Sequence, residues 1–260
     1  MKNAFSDLIF LMDEFFKYDP WHGKQTFDSM KKDLLNELAE VEAELDAEDF
    51  PKLMGELGDL LWSSLIVFHL AKQKNLFSFE EVLHFSYSKH FERHPWVFHG
   101  KKFDSIQDLR EEFFKVKENQ KLNGVNLVNE SFSLHDVEKL DFLIKRLLTE
   151  NGFPWRKIDL QLFKKYLREE AEELIEEMHE DSFKLNSGNL MNELGDVLFN
   201  IMLASKYAEL NKKFNFKEVI ENVKKKMIRR KPHVLQKKLV SEEEALKVFL
   251  EVKSKEKKNS

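Results

Sequence analysis

The sequence contains no cysteine, and it has only 8 glycines and 5 prolines among its 260 residues. The absence of cysteine excludes disulfide bonds, zinc sites with thiolate ligands and cysteine nucleophiles. The scarcity of turn-forming residues argues against an all-β fold, which needs a turn after every short strand. With 34% charged and 42% hydrophobic residues, the composition is typical of helical globular proteins and sufficient for one large domain or two small ones.

The chain also lacks a surplus of basic residues and a long apolar run. Its net charge of -5 gives no general attraction to nucleic acid or to an anionic membrane. The apolar residues of segment 1–16 are interrupted by Asp7, Asp13 and Glu14, without the basic region and cleavage site of a signal peptide. No apolar run approaches the length of a membrane-spanning helix. We therefore expect a cytoplasmic protein that binds neither nucleic acid nor membrane.

An internal repeat is the most informative feature of the sequence. Each half contains, in the same order, a Pro-Trp pair, two acidic segments, a basic segment that ends in proline, and a Phe-x-x-Val-Lys segment. Five ordered matches at nearly one offset indicate a tandem duplication. The matched landmarks are Pro20 and Pro154, Trp21 and Trp155, Glu37 and Glu170, Glu56 and Glu193, Lys89 and Lys226, and Phe113 and Phe249.

The periodicity of apolar residues predicts helices and no strands in either half. Ser78, with Glu81 three residues later, is a favourable helix start, and Pro51 suits the first turn of a helix. The sequence thus predicts an all-α fold with two tandem helical bundle domains, 1–119 and 134–260, joined by a polar linker at 120–133. The helices predicted in the first half are 3–17, 26–47, 51–74, 78–94 and 105–119.

Acidic residues occur in pairs on two helices of each half. Glu170 and Glu173 are three residues apart, as are Glu193 and Asp196, so each pair shares one helix face. A single pair of this kind usually faces solvent. Here Glu170 and Glu193 lie on the apolar stripes of their helices, where unpaired charge is costly, and the whole pattern occurs twice. The equivalent residues of the first half are Glu37, Glu40, Glu56 and Asp59.

Carboxylates that converge from two packed helices would repel one another, and a hard cation such as Mg²⁺ would relieve that repulsion. The helix that follows them supplies positive charge, because Lys226 and Arg230 share one face, as do Lys89 and Arg93. An acidic cluster that faces basic residues suits a metal-bound phosphate group. We therefore predict a site for phosphoryl chemistry.

The motif EExxE followed by ExxD on two helices resembles the signature of the MazG-like all-α NTP pyrophosphatases. The second half carries it completely, from Glu169 to Glu173 and then at Glu193 and Asp196. The tandem arrangement resembles the two-domain MazG proteins over nearly the whole chain. The resemblance implies two MazG-like bundle domains, a homodimer, and Mg²⁺-dependent hydrolysis of nucleoside triphosphates to monophosphate and pyrophosphate, with Mn²⁺ as a substitute metal.

The resemblance also implies roles for individual residues. Metal ligands would be Glu170, Glu173, Glu193 and Asp196, with Glu37, Glu40, Glu56 and Asp59 in the first half. Glu169 or one of the ligand carboxylates would act as the base. Substrate-binding residues would be Lys226, Arg230, Phe249 and Lys253, with Lys89 and Arg93 in the first half; Phe249 stands where the family has tryptophan.

The first half departs from the motif, because Asn36 stands in the place of Glu169. We therefore expect the C-terminal domain to be catalytic and the N-terminal domain to be structural or weakly active. Two alternatives stay open. One is a narrower enzyme that acts on dUTP, dCTP or phosphoribosyl-ATP, and the other is a non-catalytic, metal-stabilised helical scaffold or regulatory partner.

Overall fold

The computed structural model describes residues 1–128, 135–150, 153–154 and 158–259. Within these ranges the chain is helical and contains no β-strand, which confirms the all-α class. A 3₁₀ turn, His22–Lys24, follows the first helix. The α-helices are α1 (Lys2–Tyr18), α2 (Phe27–Ala47), α3 (Phe50–Gln73), α4 (Phe79–Arg93), α5 (Pro95–Phe98), α6 (Ile106–Asn123), α7 (Asp136–Thr149), α8 (Leu160–Glu177), α9 (Glu180–Leu210), α10 (Phe216–Arg230), α11 (Pro232–Leu235) and α12 (Glu242–Asn259).

Local capping accounts for the positions where the helices begin. The Ser78 hydroxyl accepts a hydrogen bond from the backbone N–H of Glu81, while the Glu81 carboxylate accepts the N–H of Ser78, so α4 starts with a capping box. Thr26 and Ser29 form the same arrangement at α2, and Pro51 occupies the first turn of α3. The five helices predicted in the first half are confirmed, with ends that differ by a few residues.

One predicted boundary differs from the structure. Helix α6 continues to Asn123, so its last turn lies inside the segment predicted as linker. The helix continues because Gln120 is buried and its amide bonds to the α4 side chains of Glu92 and Arg93. Trp155 and the predicted start of the second domain at residue 134 lie outside the described residues.

The repeat in the sequence is a repeat in the structure, since α7 to α12 follow the order of α1 to α6. Within each half the two acidic helices pack together, α2 on α3 and α8 on α9. The basic helices, however, pack on the opposite half: α10 lies against α3, and α4 lies against α9. The apolar side chains of both halves form one continuous core. Each half therefore supplies part of the surroundings of the other.

Glycine permits the close approach at both crossings. A Cβ atom on Gly58 of α3 would lie 3.1 Å from Cβ of Val223 on α10. In the other crossing, a Cβ on Gly195 of α9 would lie 3.4 Å from Cβ of Ser86 on α4. These two glycines precede Asp59 and Asp196, so each crossing brings a basic helix directly against an acidic one.

Helix α3 is long and apolar enough to cross a membrane by length and composition alone, contrary to the expectation that no apolar run approaches such a length. Its side chains nevertheless face the protein, because 78% of its most apolar 18-residue stretch is buried inside the structure. Such burial is typical of the central helix of a globular core, and we interpret α3 in that way.

Replacement of the two glycines of α3 tests the crossing. We expect Gly55→Ala to raise the free energy of unfolding by about 0.5–1 kcal/mol, because alanine favours helix and nothing lies within 4 Å of its Cβ. Gly58→Leu should lower it by about 1–3 kcal/mol, since the added atoms force α3 and α10 apart. Urea denaturation of both variants measures the difference, and equal effects at the two positions would contradict the crossing.

Candidate active sites at the crossings of the two halves

Two cavities lie at the two crossings, and each combines side chains from both halves. The first cavity, of about 590 Å³, holds the acidic residues of α2 and α3 together with basic residues of α10 and residues of α12. The predicted site residues that line it are Glu37, Glu40, Glu56, Asp59, Lys226, Arg230, Phe249 and Lys253.

The second cavity, of about 770 Å³, holds the acidic residues of α8 and α9 together with basic residues of α4 and residues of α6. Phe113 and Lys117, the repeat equivalents of Phe249 and Lys253, also line it, and the alignment of the two halves could have identified them. The predicted site residues present are Glu169, Glu170, Glu173, Glu193, Asp196, Lys89 and Arg93.

The sequence predicted that each half would place its own basic helix opposite its own carboxylates, and this pairing is wrong. Lys226 donates a hydrogen bond to Asp59 of the first half, and Lys89 donates one to Asp196 of the second. The residues of one predicted set, Glu170 and Lys226 for example, therefore line different cavities. The repeat could not reveal this, because both pairings place the same residue types together.

The carboxylates of the second cavity ionise unequally. Burial raises the pKa of Asp196, but the Lys89 ammonium and the His90 ring outweigh it and hold that pKa far below its usual range. Burial and the charge of Asp196 raise the pKa of Glu170 to about 8 and the pKa of Glu193 to about 7. One carboxylate thus stays ionised beside its cation, while its neighbours tend to keep a proton at neutral pH.

The first cavity repeats this charge arrangement. Lys226 is paired with Asp59, and burial together with the charge of Asp59 raises the pKa of Glu37 to about 8 and that of Glu56 to about 7. Burial is the largest cause in both residues. Both cavities therefore contain buried carboxylates that repel one another.

The geometry of these carboxylates suits a hard divalent cation. Ligand atoms of Glu37, Glu56 and Asp59 lie within 4.8 Å of one another, and so do those of Glu170, Glu173 and Glu193. Among the described residues, several of these oxygens are buried without a hydrogen-bond partner, which is costly unless a cation binds them. The oxygens are Glu37 Oε2, Glu56 Oε2, Asp59 Oδ1 and Glu193 Oε2.

Side chains of α6 and α12 hold the arginines of the basic helices α4 and α10 in place. Arg93 donates from Nε to Oε1 of Gln120 at 2.7 Å, whereas Arg230 is paired with the carboxylate of Glu256 at 2.8 Å. Gln120 and Glu256 are equivalent in the repeat, but Gln120 is neutral. Arg93 consequently keeps more of its positive charge available to a ligand than Arg230 does.

The inner walls of the two cavities differ in polarity. In the first cavity Trp62 and Met227 occupy positions that Phe199 and His90 occupy in the second. The His90 and Phe199 rings are stacked, with centroids 3.7 Å apart. Burial lowers the pKa of His90 to about 3, more than its contact with Asp196 raises it, so the stacked ring is neutral.

A buried network around Asp19 supports the wall of the first cavity and was not found from the sequence. The Asp19 carboxylate accepts hydrogen bonds from His22 Nδ1 at 2.6 Å, Lys231 Nζ at 2.6 Å and His233 Nε2 at 3.1 Å. His22 Nε2 accepts the indole N–H of Trp62 at 3.1 Å, which orients that ring. The repeat carries no signal for this network, because Phe153 stands in the place of Asp19.

Glu169 lies at the rim of the second cavity. Its side chain is 49% exposed and forms an ion pair with Lys165 on the same helix, at 3.6 Å. It differs in this respect from Glu170, which is turned into the cavity.

Comparison with known proteins identifies a family. The model of the MazG nucleotide pyrophosphohydrolase domain matches this chain twice, over residues 25–98 and 159–235. These segments contain the acidic helices and the basic helices of both halves.

Two of three curated proteins with related sequences carry the family name or its activity in their own names. A Thermotoga maritima protein named nucleoside triphosphate pyrophosphohydrolase/pyrophosphatase MazG is 26% identical over 81% of this chain and 80% of its own length. A nucleoside triphosphate pyrophosphohydrolase of Escherichia coli K12 is 30% identical over 69% of this chain and 68% of its own length. The uncharacterized protein YabN of Bacillus subtilis is 31% identical over 56% of this chain, which spans only 31% of that protein.

Metal dependence of stability provides a test of the carboxylate clusters. Glutamates with a raised pKa bind protons in the folded state that the unfolded chain has released, so their contribution to the free energy of unfolding falls as pH rises from about 4.5 to about 8. Because Mg²⁺ competes with those protons, we expect 5 mM MgCl₂ to raise Tm by several degrees at pH 8.5 and less at pH 6.

Thermal melts with MgCl₂ and with EDTA at both pH values measure this effect. The double variant Glu56→Gln/Glu193→Gln is the control and should lose most of the Mg²⁺-dependent shift. An equal shift at the two pH values, or an equal shift in the control, would contradict metal binding by these carboxylates.

Proposed function

This chain belongs to the MazG nucleotide pyrophosphohydrolase family, and on that premise we propose that it hydrolyses ribo- or deoxyribonucleoside triphosphates to the monophosphate and pyrophosphate. The reaction depends on Mg²⁺, which Mn²⁺ can replace, and takes place mainly in the second cavity. The enzyme works in the cytoplasm, and the homodimer implied by the family stays a prediction.

The observation that carries this proposal is the pairing of two opposite charges across the second cavity. Glu170, Glu173 and Glu193 present ligand oxygens within 4.8 Å of one another, and Lys89 and Arg93 line the same cavity. A triphosphate that carries a divalent cation needs both kinds of neighbour, carboxylates for the metal and cations for the phosphate oxygens. The cavity also has the volume that ligands of this size need.

In the proposed reaction, water attacks the α-phosphorus, the bond from that phosphorus to the bridging oxygen breaks, and pyrophosphate leaves with the electron pair. The carboxylates of Glu170, Glu173, Glu193 and Asp196 would hold Mg²⁺, and the ion would supply positive charge for the phosphates and for the ionisation of water. Lys89 lies beside Asp196 and would contact the phosphates together with Arg93. The cations stabilise the charge that develops on the leaving oxygens.

The proton of the attacking water requires a base, and two kinds of carboxylate are suitably placed. Glu169 is half exposed at the cavity rim and can pass the proton to solvent. The cluster carboxylates lie closer to the metal, and their raised pKa values make them effective acceptors near neutral pH. A Glu169→Gln variant with near-normal kcat would assign the role to the cluster.

Two features favour the second cavity over the first as the main site. The second half retains Glu169, where the first half has Asn36. Arg93 is held by a neutral glutamine, whereas Arg230 is already paired with the carboxylate of Glu256. The first cavity would then be a weaker site. Through Lys89 and Arg93, however, the first half contributes directly to the main site.

Product analysis with a mixed nucleoside triphosphate pool tests the activity and its location. We expect Mg²⁺-dependent release of monophosphate and pyrophosphate by the wild type, a loss of at least about 100-fold in Glu193→Gln, and a smaller loss in the matched variant Glu56→Gln. Anion-exchange chromatography separates the products.

Each other outcome has a definite meaning for the proposal. Equal losses in Glu193→Gln and Glu56→Gln would overturn the assignment to the second cavity. Turnover of dUTP, dCTP or phosphoribosyl-ATP alone would indicate the narrower enzyme. No turnover, with a Mg²⁺-dependent Tm, would overturn the proposal in favour of a metal-stabilised scaffold.

The pairing of each basic helix with the carboxylates of the other half gives a second test, which concerns the lysines. We expect Lys89→Ala to lower kcat/KM about 100-fold, because Lys89 lies beside the carboxylates of the main site. Lys226→Ala should have the small effect of Glu56→Gln, although Lys226 belongs to the half that carries the complete motif. The double variant Lys89→Ala/Glu193→Gln should be little worse than Glu193→Gln. A larger loss in Lys226→Ala than in Lys89→Ala would contradict a main site that combines carboxylates of the second half with Lys89 of the first half.

A further inference from the structure

Asn200 is a polar residue in the wall of the second cavity that neither the motif nor the proposed chemistry uses. It lies on α9 four residues after Asp196, which is one helical turn, and so projects from the same face. Its side chain lines the cavity, although only 2% of the residue is exposed to solvent. Ser63 occupies the equivalent position in the first half.

The orientation of the Asn200 amide follows from a hydrogen bond that its nitrogen makes. Its Nδ2 lies 2.9 Å from the backbone carbonyl oxygen of Asp196. Because a carbonyl oxygen can only accept, the nitrogen must face it, and Oδ1 must point the other way. Within the described part of the chain, Oδ1 is buried and has no hydrogen-bond partner.

A structural role does not explain an asparagine at this position. Asparagine is a weaker helix former than leucine or alanine, and a buried acceptor without a donor destabilises the folded state. The stacked rings of Phe199 and the neutral His90 line the same cavity. An apolar side chain would therefore serve packing better, and the unsatisfied oxygen suits a group that arrives with a ligand.

The chemistry of a nucleotide limits which group can reach this oxygen. Phosphate oxygens are acceptors and are repelled by another acceptor, so a group of the nucleotide that pairs with this oxygen must be a donor. A nucleoside triphosphate carries its donors on the sugar, as hydroxyl groups, and on the base, as N–H groups. Asn200 lies about 6 Å along the helix axis from Asp196, one of the carboxylates that would hold the metal, so a nucleotide bound through its phosphates at Asp196 has its nucleoside near this wall.

We propose that Asn200 is a specificity-determining residue of the second cavity. Its Oδ1 accepts a hydrogen bond from a sugar hydroxyl or a base amino group of the substrate, and triphosphates that lack this donor are hydrolysed poorly. The inference rests on the proposed function. Because Asn200 is buried, contact requires a rearrangement of the surrounding side chains, which commonly accompanies ligand binding. A site built to bond a donor discriminates strongly against analogues without it, because the buried acceptor is then left unpaired.

The test measures kcat/KM for triphosphates of adenosine, 2′-deoxyadenosine, 2′,3′-dideoxyadenosine and purine riboside, which differ by single donor groups. The full chain carries Glu56→Gln in every case, so that the second cavity alone is measured. We expect Asn200→Leu to lower kcat/KM at least tenfold for substrates that carry the donor and less than twofold for those that lack it. The donor group whose absence from the substrate abolishes the effect of Asn200→Leu is the partner of Oδ1. The comparison thus distinguishes a sugar hydroxyl from the base amino group.

Two further variants separate recognition from folding. Ser205→Ala removes a similar hydrogen bond on α9, from Ser205 Oγ to the carbonyl of Ile201 at 2.8 Å, away from the cavity, and should leave the discrimination unchanged. Asn200→Ser, which introduces the residue of the first half, should reduce the discrimination, and Tm shows that each variant folds. Equal losses for all four substrates, or no loss, would overturn the inference while wild-type turnover still supports the proposed function. Absence of wild-type turnover would overturn both.

Discussion

The structure depends on one electrostatic constraint, the burial of several carboxylates in each of two clefts. Buried like charges are tolerated only when cations or protons compensate them. Here the compensation comes from the opposite half of the chain, through Lys89 at Asp196 and Lys226 at Asp59. The ion pair that stabilises each acidic helix is therefore also the contact that joins the two halves.

This reciprocity explains why the halves share one core. Helices α4 and α10 each pack against an acidic helix of the other half, and the glycines at the crossings allow the backbones to approach closely. One chain thereby completes two cavities, each with carboxylates from one half and cations from the other. Loss of a basic helix in one half would disturb the site of the other half and the core that both share.

The two cavities contain equivalent ion pairs and carboxylate clusters, but other residues that line them differ. The pairs Asp59–Lys226 and Asp196–Lys89 are equivalent, and both clusters contain glutamates with raised pKa values. The inner walls differ, since Ser63 faces one cavity where Asn200 faces the other. The clustered carboxylates and the lysines paired with them are thus repeated, whereas Asn200, which we propose to contact the nucleoside, is not.

The sequence by itself determined the helices, the duplication and the acidic clusters. Apolar periodicity and capping residues such as Ser78 are local signals, and Glu170 on an apolar stripe already predicts a buried carboxylate. Only the tertiary structure decided which basic helix faces which carboxylates and that Asp19 anchors the wall of the first cavity. These contacts join residues more than a hundred positions apart, and a repeat is compatible with both pairings of its halves. Periodicity specifies which face of a helix is buried, but the partner of that face is selected by packing over the whole molecule.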